Sequence, residues 1–250
     1  MRDGYRKPTA FGVVPAKGAS TGLPGKNMML MRGHPMIHYI LMSALGATML
    51  DEVWVSTEND QIEEYCSGLS VRVLRHDPSL SGETSPTFGV IENILSYWES
   101  LKRVPDIVVT MRATSPLCTA DDIDRAVHML LNSKADSVIA VVKSDVHPHR
   151  ILSIDANGFL QHTDPNSPER HCPIRRQELS PVYIRTGAIY ATRREVIKKG
   201  SLWGTRALPY IFPKKRATNV NDEIDFFLAE NLLLEGQESP IAGHPLPRTT

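Results

Sequence analysis

Short apolar runs bounded by turn formers alternate with segments of helical spacing through the first 145 residues or so of the chain. Ala10 to Pro15 is an unbroken apolar run and reads as a first strand. Pro35 to Ala47 repeats apolar residues at helical intervals, Glu52 to Ser56 is a second strand, Asp60 to Ser67 a short helix and Val71 to Leu74 a third strand. A helix over Thr87 to Ser100 leads to Asp106 to Met111, the most apolar strand. Thr119 to Ser133 is a helix announced by a capping box in which Asp122 takes the usual glutamate's place. Ser137 to Val142 follows as a fifth strand. This order predicts an α/β domain with a doubly wound, mainly parallel sheet and ligand-binding loops at the carboxyl ends of its strands.

The rhythm then breaks. From Asp145 to Pro181 the chain is rich in His, Pro, Arg and Asn, with a hairpin turn expected at Asn157-Gly158 and no clear helix. An irregular segment of that length inside a compact domain is functional or an interaction arm. Val182 to Thr192 resumes the core as a strand and Asn221 to Glu235 closes it as a helix. The three-proline tail from Glu238 to Thr250 is expected to be poorly ordered. A length of 250 residues suits one domain over 1–250, with an inserted arm at about 145–181 and a flexible tail at 238–250.

Composition removes some partners. Lys and Arg number 28 and Asp and Glu number 28, so no global basic field suggests nucleic acid, and an anionic ligand must be met by local cations. No apolar stretch reaches the length of a membrane span. The start, Met-Arg-Asp-Gly-Tyr-Arg-Lys, lacks the apolar core of a signal peptide, so a cytoplasmic protein without a membrane partner is expected. Cys66, Cys118 and Cys172 are odd in number and widely spaced, which fits reduced thiols.

The candidate chemistry begins where the first strand ends. Val14 to Asn27 reads Val-Pro-Ala-Lys-Gly-Ala-Ser-Thr-Gly-Leu-Pro-Gly-Lys-Asn. Gly18, Gly22 and Gly25 let the backbone turn its N–H groups onto phosphate oxygens, while Lys17 and Lys26 neutralise their charge. The spacing is not that of a Walker A loop: Ser20 stands where its first glycine belongs and Asn27 where its metal-binding hydroxyl belongs. No Gly-x-Gly-x-x-Gly occurs here. Taken alone, the segment also reads as a tight solvated turn with two surface lysines.

In company with four further segments, this loop resembles the first signature of the acylneuraminate cytidylyltransferases, Pro-Ala-Arg-x-x-Ser-Lys-Gly-x-Pro-x-Lys-Asn, which wraps CTP. Pro15, Ala16, Ser20, Gly22, Pro24, Lys26 and Asn27 fit, while Lys17 replaces the arginine and Thr21 the second basic residue. Met111 to Cys118 is similar to the family's Gln-Pro-Thr-Ser-Pro-Leu-Arg, with Thr114, Ser115, Pro116 and Leu117 matching, Arg112 in the glutamine's place and Cys118 in the arginine's. A buried Arg112 would hold a carboxylate or phosphate bidentately, which glutamine cannot. Asp77 to Thr84 resembles Arg-Pro-x-x-Leu-x-x-Asp-Thr, matching at Thr84. Arg175 to Tyr190 resembles Arg-x-x-Leu-Pro-x-x-Tyr-x-x-Asn-Gly-Ala-Ile-Tyr, with Thr186 for the asparagine. The matches run from about residue 11 to 234.

The departure is greatest at the end. The family's Ile-Asp-Ile-Asp-Thr-x-x-Asp, whose first two aspartates sit at metal and triphosphate, becomes Thr218-Asn219-Val220-Asn221-Asp222-Glu223-Ile224-Asp225. Amide oxygens complete a hard cation's shell with lower affinity. Asp222 either compensates or caps the final helix, with Asp225 facing solvent or the macrodipole.

The resemblance implies transfer of CMP from CTP to an acidic sugar such as sialic or legionaminic acid, with Mg²⁺, in a homodimer built through a small projecting subdomain. Lys17 and Lys26 would be the catalytic cations. Pro15, Ala16, Ser20, Gly22, Asn27, Thr84 and Ser115 would hold the nucleotide, and Arg112, Arg150, Arg185 and Thr186 the acceptor. Asn219, Asn221 and Asp222 would face the metal. Two readings remain beside it: a nucleotidyltransferase of the same fold with another base or a non-sugar carboxylate or phosphonate acceptor, and a catalytically weak nucleotide-sugar binding protein. Hydrolase and zinc motifs are missing, and the nine histidines, including His147 and His149, read as incidental.

Overall fold

The computed structural model describes residues 7–18, 23–81, 87–170 and 174–236. Strand β1 (Ala10–Pro15) shows why its sequence is an unbroken apolar run. Phe11 and Val13 pack on one face of the sheet, Ala10 and Val14 on the other, and both faces are covered. Two-residue strands β2 (Leu30–Met31) and β3 (His34–Pro35) pair before helix α1 (Met36–Gly46). There follow β4 (Glu52–Thr57), α2 (Asp60–Ser67), β5 (Arg72–Arg75), α3 (Thr87–Ser100), β6 (Ile107–Met111), α4 (Ala120–Leu131) and β7 (Ser137–Lys143). The arm carries the hairpin β8 (Leu152–Ile154) and β9 (Leu160–His162). The core returns with β10 (Tyr183–Arg193), α5 (Arg194–Ile197), β11 (Ala207–Ile211) and α6 (Glu223–Gly236).

The seven-stranded sheet runs β11-β7-β10-β6-β1-β4-β5. All its neighbouring pairs are parallel except those of β10, which runs antiparallel between β6 and β7. Helices α1, α2 and α4 cover one face, and α3 and α5 the other, which is the doubly wound arrangement. Strand β1 lies between β4 and β6, so the chain leaves it at the point where the strand order reverses, the usual ligand crevice of such sheets.

Strand β11 escapes the sequence pattern. Its residues alternate between exposed and half-buried and include Pro209, tolerable because β11 is an edge strand. Among the described residues no helix is long and apolar enough to cross a membrane.

The capping box of α4 is present, and Asp122 does more than close it. Its fully buried carboxylate accepts from Thr119 N–H (2.9 Å) and Oγ1 (2.7 Å), from the Tyr210 hydroxyl (2.7 Å) and from both arms of the Arg216 guanidinium. Burial raises its pKa, but the hydrogen bonds from Arg216, Tyr210 and Thr119 outweigh burial and hold it below the ordinary carboxylate range. Arg216 also lies over the Phe212 ring at 5.2 Å. The pair therefore fastens the segment after β11 to α4, three residues before Asn219. Replacing Asp122 with Ala leaves this arginine and tyrosine without their acceptor, and urea unfolding at neutral pH is expected to show a loss of about 3 kcal/mol. A loss below about 1 kcal/mol, the scale of a surface pair, would mean that the pair anchors nothing.

Candidate active site

The loop after β1 is stapled at both ends. Ala16 N–H donates to the Ser56 carbonyl (2.9 Å), extending the β1–β4 ladder past Pro15. The chain then turns. Asn27, buried, donates its amide to the Lys17 carbonyl (2.8 Å), where a contact to nucleotide was expected. Gly18 N–H donates to Glu58 Oε1 (2.7 Å), and a Cβ at Gly18 would stand 2.5 Å from Asn59 Nδ2. Gly25 adopts φ 65°, the left-handed conformation its place in the turn requires. Ser20, Gly22 and Thr84 lie outside the described residues.

Three loops meet at Lys26. Its ammonium donates to the Val220 carbonyl (3.3 Å), and Val220 N–H donates to the Thr114 carbonyl (2.8 Å) in the loop after β6. Thr114 Oγ1 donates to Asn219 Oδ1 (2.6 Å), Asn219 Nδ2 to Asn221 Oδ1 (3.3 Å), and Asn221 N–H to Asp225 Oδ2 (2.9 Å). Burial lowers the Lys26 pKa, the charge of Arg112 lowers it further and that of Asp225 opposes both. Ser115 is buried beside this cluster in sequence, and its Oγ has no hydrogen-bond partner among the described residues.

The acceptor candidates divide. Arg112 is exposed, not buried as its sequence position suggests, and its chain lies across Gly187: a Cβ there would come within 3.2 Å of Arg112 Cδ. Gly187 has φ 78° at the irregularity where β10 shifts register between Arg185 and Tyr190. Thr186 spends its hydroxyl on that irregularity, donating to the Ala140 carbonyl and accepting from Ala188 N–H, both at 3.2 Å. Arg185 lies 5.4 Å over the Trp203 ring, and Arg150 is held within the arm by Glu169 (3.0 Å) and the Ile174 carbonyl. Arg112 and Thr186 thus come together, while Arg150 and Arg185 are engaged elsewhere.

The metal candidates are largely occupied by protein contacts. Asp222 Oδ1 accepts from Asp225 N–H (2.9 Å), so Asp222 caps α6. Asp225 turns back onto Asn221 and toward Lys26 instead of solvent. Asn219, Asn221 and Asp225 form an all-oxygen donor set, which a hard cation accepts, but with one carboxylate among them. Such a set fits Mg²⁺ that arrives with phosphates of its own. Among the described residues no group of three or more His, Cys, Asp or Glu could hold a metal ion.

One network went unread in the sequence. Ser56 Oγ meets His76 Nδ1 (2.8 Å), His76 Nε2 meets Ser81 Oγ (2.6 Å), and Ser81 donates to Glu58 Oε2 (2.5 Å). Neutral His76 satisfies every link if Nε2 carries the proton, a tautomer assigned from the network. Burial lowers the His76 pKa, with Lys17 adding to this and Glu58 opposing it. The available signal was position: Glu58 directly follows β4, beside the end of β1.

A further groove lies elsewhere. An open groove of about 450 Å³ is lined by Thr48, Asp124, His128 and Tyr210 among others, near Asp51, which binds Ala10 at the start of β1. Its lining includes Arg125 and no lysine, and none of the residues of the Lys26 cluster.

A doubly wound sheet with a lysine-bearing loop at its reversal point marks an α/β protein built to take an anionic ligand in that crevice. The chain belongs to the cytidylyltransferase family, whose profile matches residues 11–227. It is 26% identical over 232 residues to N-acylneuraminate cytidylyltransferase A of Danio rerio, covering 91% of this chain and 52% of that protein. The chain thus spans about half the length of that relative. It is 29% identical to CMP-N,N'-diacetyllegionaminic acid synthase of Legionella pneumophila, covering 91% of this chain and 97% of the other. The fold is similar to that of a CMP:2-keto-3-deoxy-manno-octonic acid synthetase complexed with CTP, with a TM-score of 0.65 and 17% identity over 92% of this chain and 100% of that one.

A buried and a half-buried histidine set a pH limit. Burial, helped by the charge of the stacked His34 ring (4.3 Å), pushes the His38 pKa below the ordinary histidine value, and burial does the same to His76. The unfolded chain therefore binds more protons as pH falls through the ordinary histidine range, and stability drops there. Thermal midpoints are expected to be level above about pH 7.5 and to fall toward about pH 5, a slope that His38→Gln with His76→Asn reduces. An unchanged slope in that variant would place the loss in other groups.

Proposed function

We propose that this chain transfers CMP from CTP to an acidic sugar of the nonulosonate class and releases pyrophosphate. The observation that carries the reading is the half-buried Lys26 ammonium, held by the Val220 carbonyl between Arg112 and Asp225 at the carboxyl edge, in a member of the cytidylyltransferase family. An acceptor oxygen forms a bond to the α-phosphorus in line, and the bond to pyrophosphate breaks with its electron pair leaving on the pyrophosphate. Lys17 and Lys26 meet the charge of the phosphates, and Asn27 keeps the loop closed by binding the Lys17 carbonyl. Pro15 and Ala16, at the end of β1, and the buried Ser115, in the loop after β6, would back the nucleotide from within the fold. Arg112 offers its planar fork to the acceptor's carboxylate, with Thr186 fixing the strand beneath it. Mg²⁺, carried by the triphosphate and faced by Asn219, Asn221 and Asp225, would supply charge neutralisation.

The same reading has the enzyme working in the cytoplasm as a homodimer. Support for the dimer comes from the arm, where Ile154, Phe159 and Leu160 are each 70% exposed on a projecting hairpin, more apolar surface than a lone hairpin carries without a partner. Loss of charge at 219 and 221 favours one second reading, a protein that binds the nucleotide and turns it over weakly.

Pyrophosphate release, measured with Mg²⁺, each of the four nucleoside triphosphates and sialic, legionaminic and eight-carbon ulosonic acids, separates the two. CTP with one nine-carbon acid is expected to turn over, and Lys26→Met to lower kcat/KM by about 100-fold. CTP binding with no release for any acid would favour the second reading.

A further inference from the structure

The backbone N–H that follows a strand at the reversal point of a doubly wound sheet is a natural seat for a ligand anion. Here the seat at Gly18 is taken by a carboxylate of the protein itself. That carboxylate is not loosely placed. Glu58 Oε1 accepts from Gly18 N–H (2.7 Å), and Oε2 accepts from Ser81 Oγ (2.5 Å) and lies 3.2 Å from His76 Nε2. His76 is fixed in turn by Ser56 Oγ at 2.8 Å, and both Ser56 and His76 are buried. The relay runs from β4 through the segment after β5 to the loop after β1.

We propose that Glu58 is a positioning residue for the nucleotide loop: it clamps Gly18 through its carboxylate and so fixes where Lys17 presents its charge. The inference rests on the reading that this loop receives the triphosphate. A carboxylate suits this place because a backbone N–H and a hydroxyl both donate to it, one to each oxygen, with the His76 ring 3.2 Å away. Glutamine would keep the shape and set its amide hydrogens against one of those donors. The clamp works with Asn27, which binds the carbonyl of the same Lys17–Gly18 peptide unit on its opposite edge (2.8 Å), so the plane of that peptide is fixed from both sides and with it the main chain that carries Lys17. Gly18 N–H is accordingly not a phosphate donor, and the triphosphate meets the lysine side chains first.

Two readouts on Glu58→Gln test this. Amide hydrogen exchange of Gly18 in the ligand-free chain is expected to speed up about tenfold or more, the scale of one lost hydrogen bond to a charged group. The KM for CTP is expected to rise about tenfold, while the KM for the acceptor and kcat stay within about threefold. Ser81→Ala, which removes one holder and leaves the carboxylate, is expected to move both readouts the same way by less, and serves if Glu58→Gln unfolds. Unchanged Gly18 exchange, or a KM for CTP that does not move, would overturn the inference. A uniform loss in kcat and both KM values would do the same, since it would mark Glu58 as structural only. Glu58-dependent exchange in a wild-type chain that binds no CTP would keep the clamp and sink the proposed function.

Discussion

One buried residue, Val220, holds the carboxyl edge together. Its N–H is bound to the loop after β6 through the Thr114 carbonyl (2.8 Å), and its carbonyl receives the Lys26 ammonium (3.3 Å) from the loop after β1. Its side chain is enclosed by Leu23, Met31, Met36 and Ala229, the small core beneath α6. Hydrogen bonds to a buried main chain leave little freedom, because breaking either strands a polar group away from water. The position of Lys26 is thus set by main-chain geometry, and so is the spacing of Asn219 and Asn221 on either side.

The charges of the site are local exceptions in a chain with no net charge. Lys26 and Arg112 oppose each other, and the charge of Asp225 relieves Lys26. Such an arrangement is stabilised by an arriving anion, which removes the repulsion. The ion pair of Asp122 and Arg216 serves the same edge from behind: it fixes the segment that delivers Asn219 without facing the crevice itself.

Burial on both faces made much of the fold legible. Strands β1 and β6 are apolar at every position but Thr110 because both sides of the sheet are covered, and α2 and α3 begin and end where their spacing predicts. Edge strand β11 was illegible for the converse reason, and the direction of β10 depends on a connection through the irregular arm that no local pattern encodes. At the site, the lysine loop was visible because glycines and lysines cluster in sequence. Glu58 and His76 were not, since they are 18 residues apart and meet only when β4 and β5 pair side by side. Asp222 caps α6, one of the two roles its position suggests, whereas Asp225, expected to face solvent or the macrodipole, turns back onto Asn221. The partnership of Arg185 with Trp203 is a tertiary contact with no sequence signature.

The most direct measurement of the account's central claim is a crystal structure of the chain with CTP. The triphosphate is expected between the loop of Lys17 and Lys26 and the Thr114–Val220 contact, with that contact unmoved. Nucleotide bound instead in the groove of Thr48, Asp124 and His128, with the Lys26 crevice empty, would contradict it.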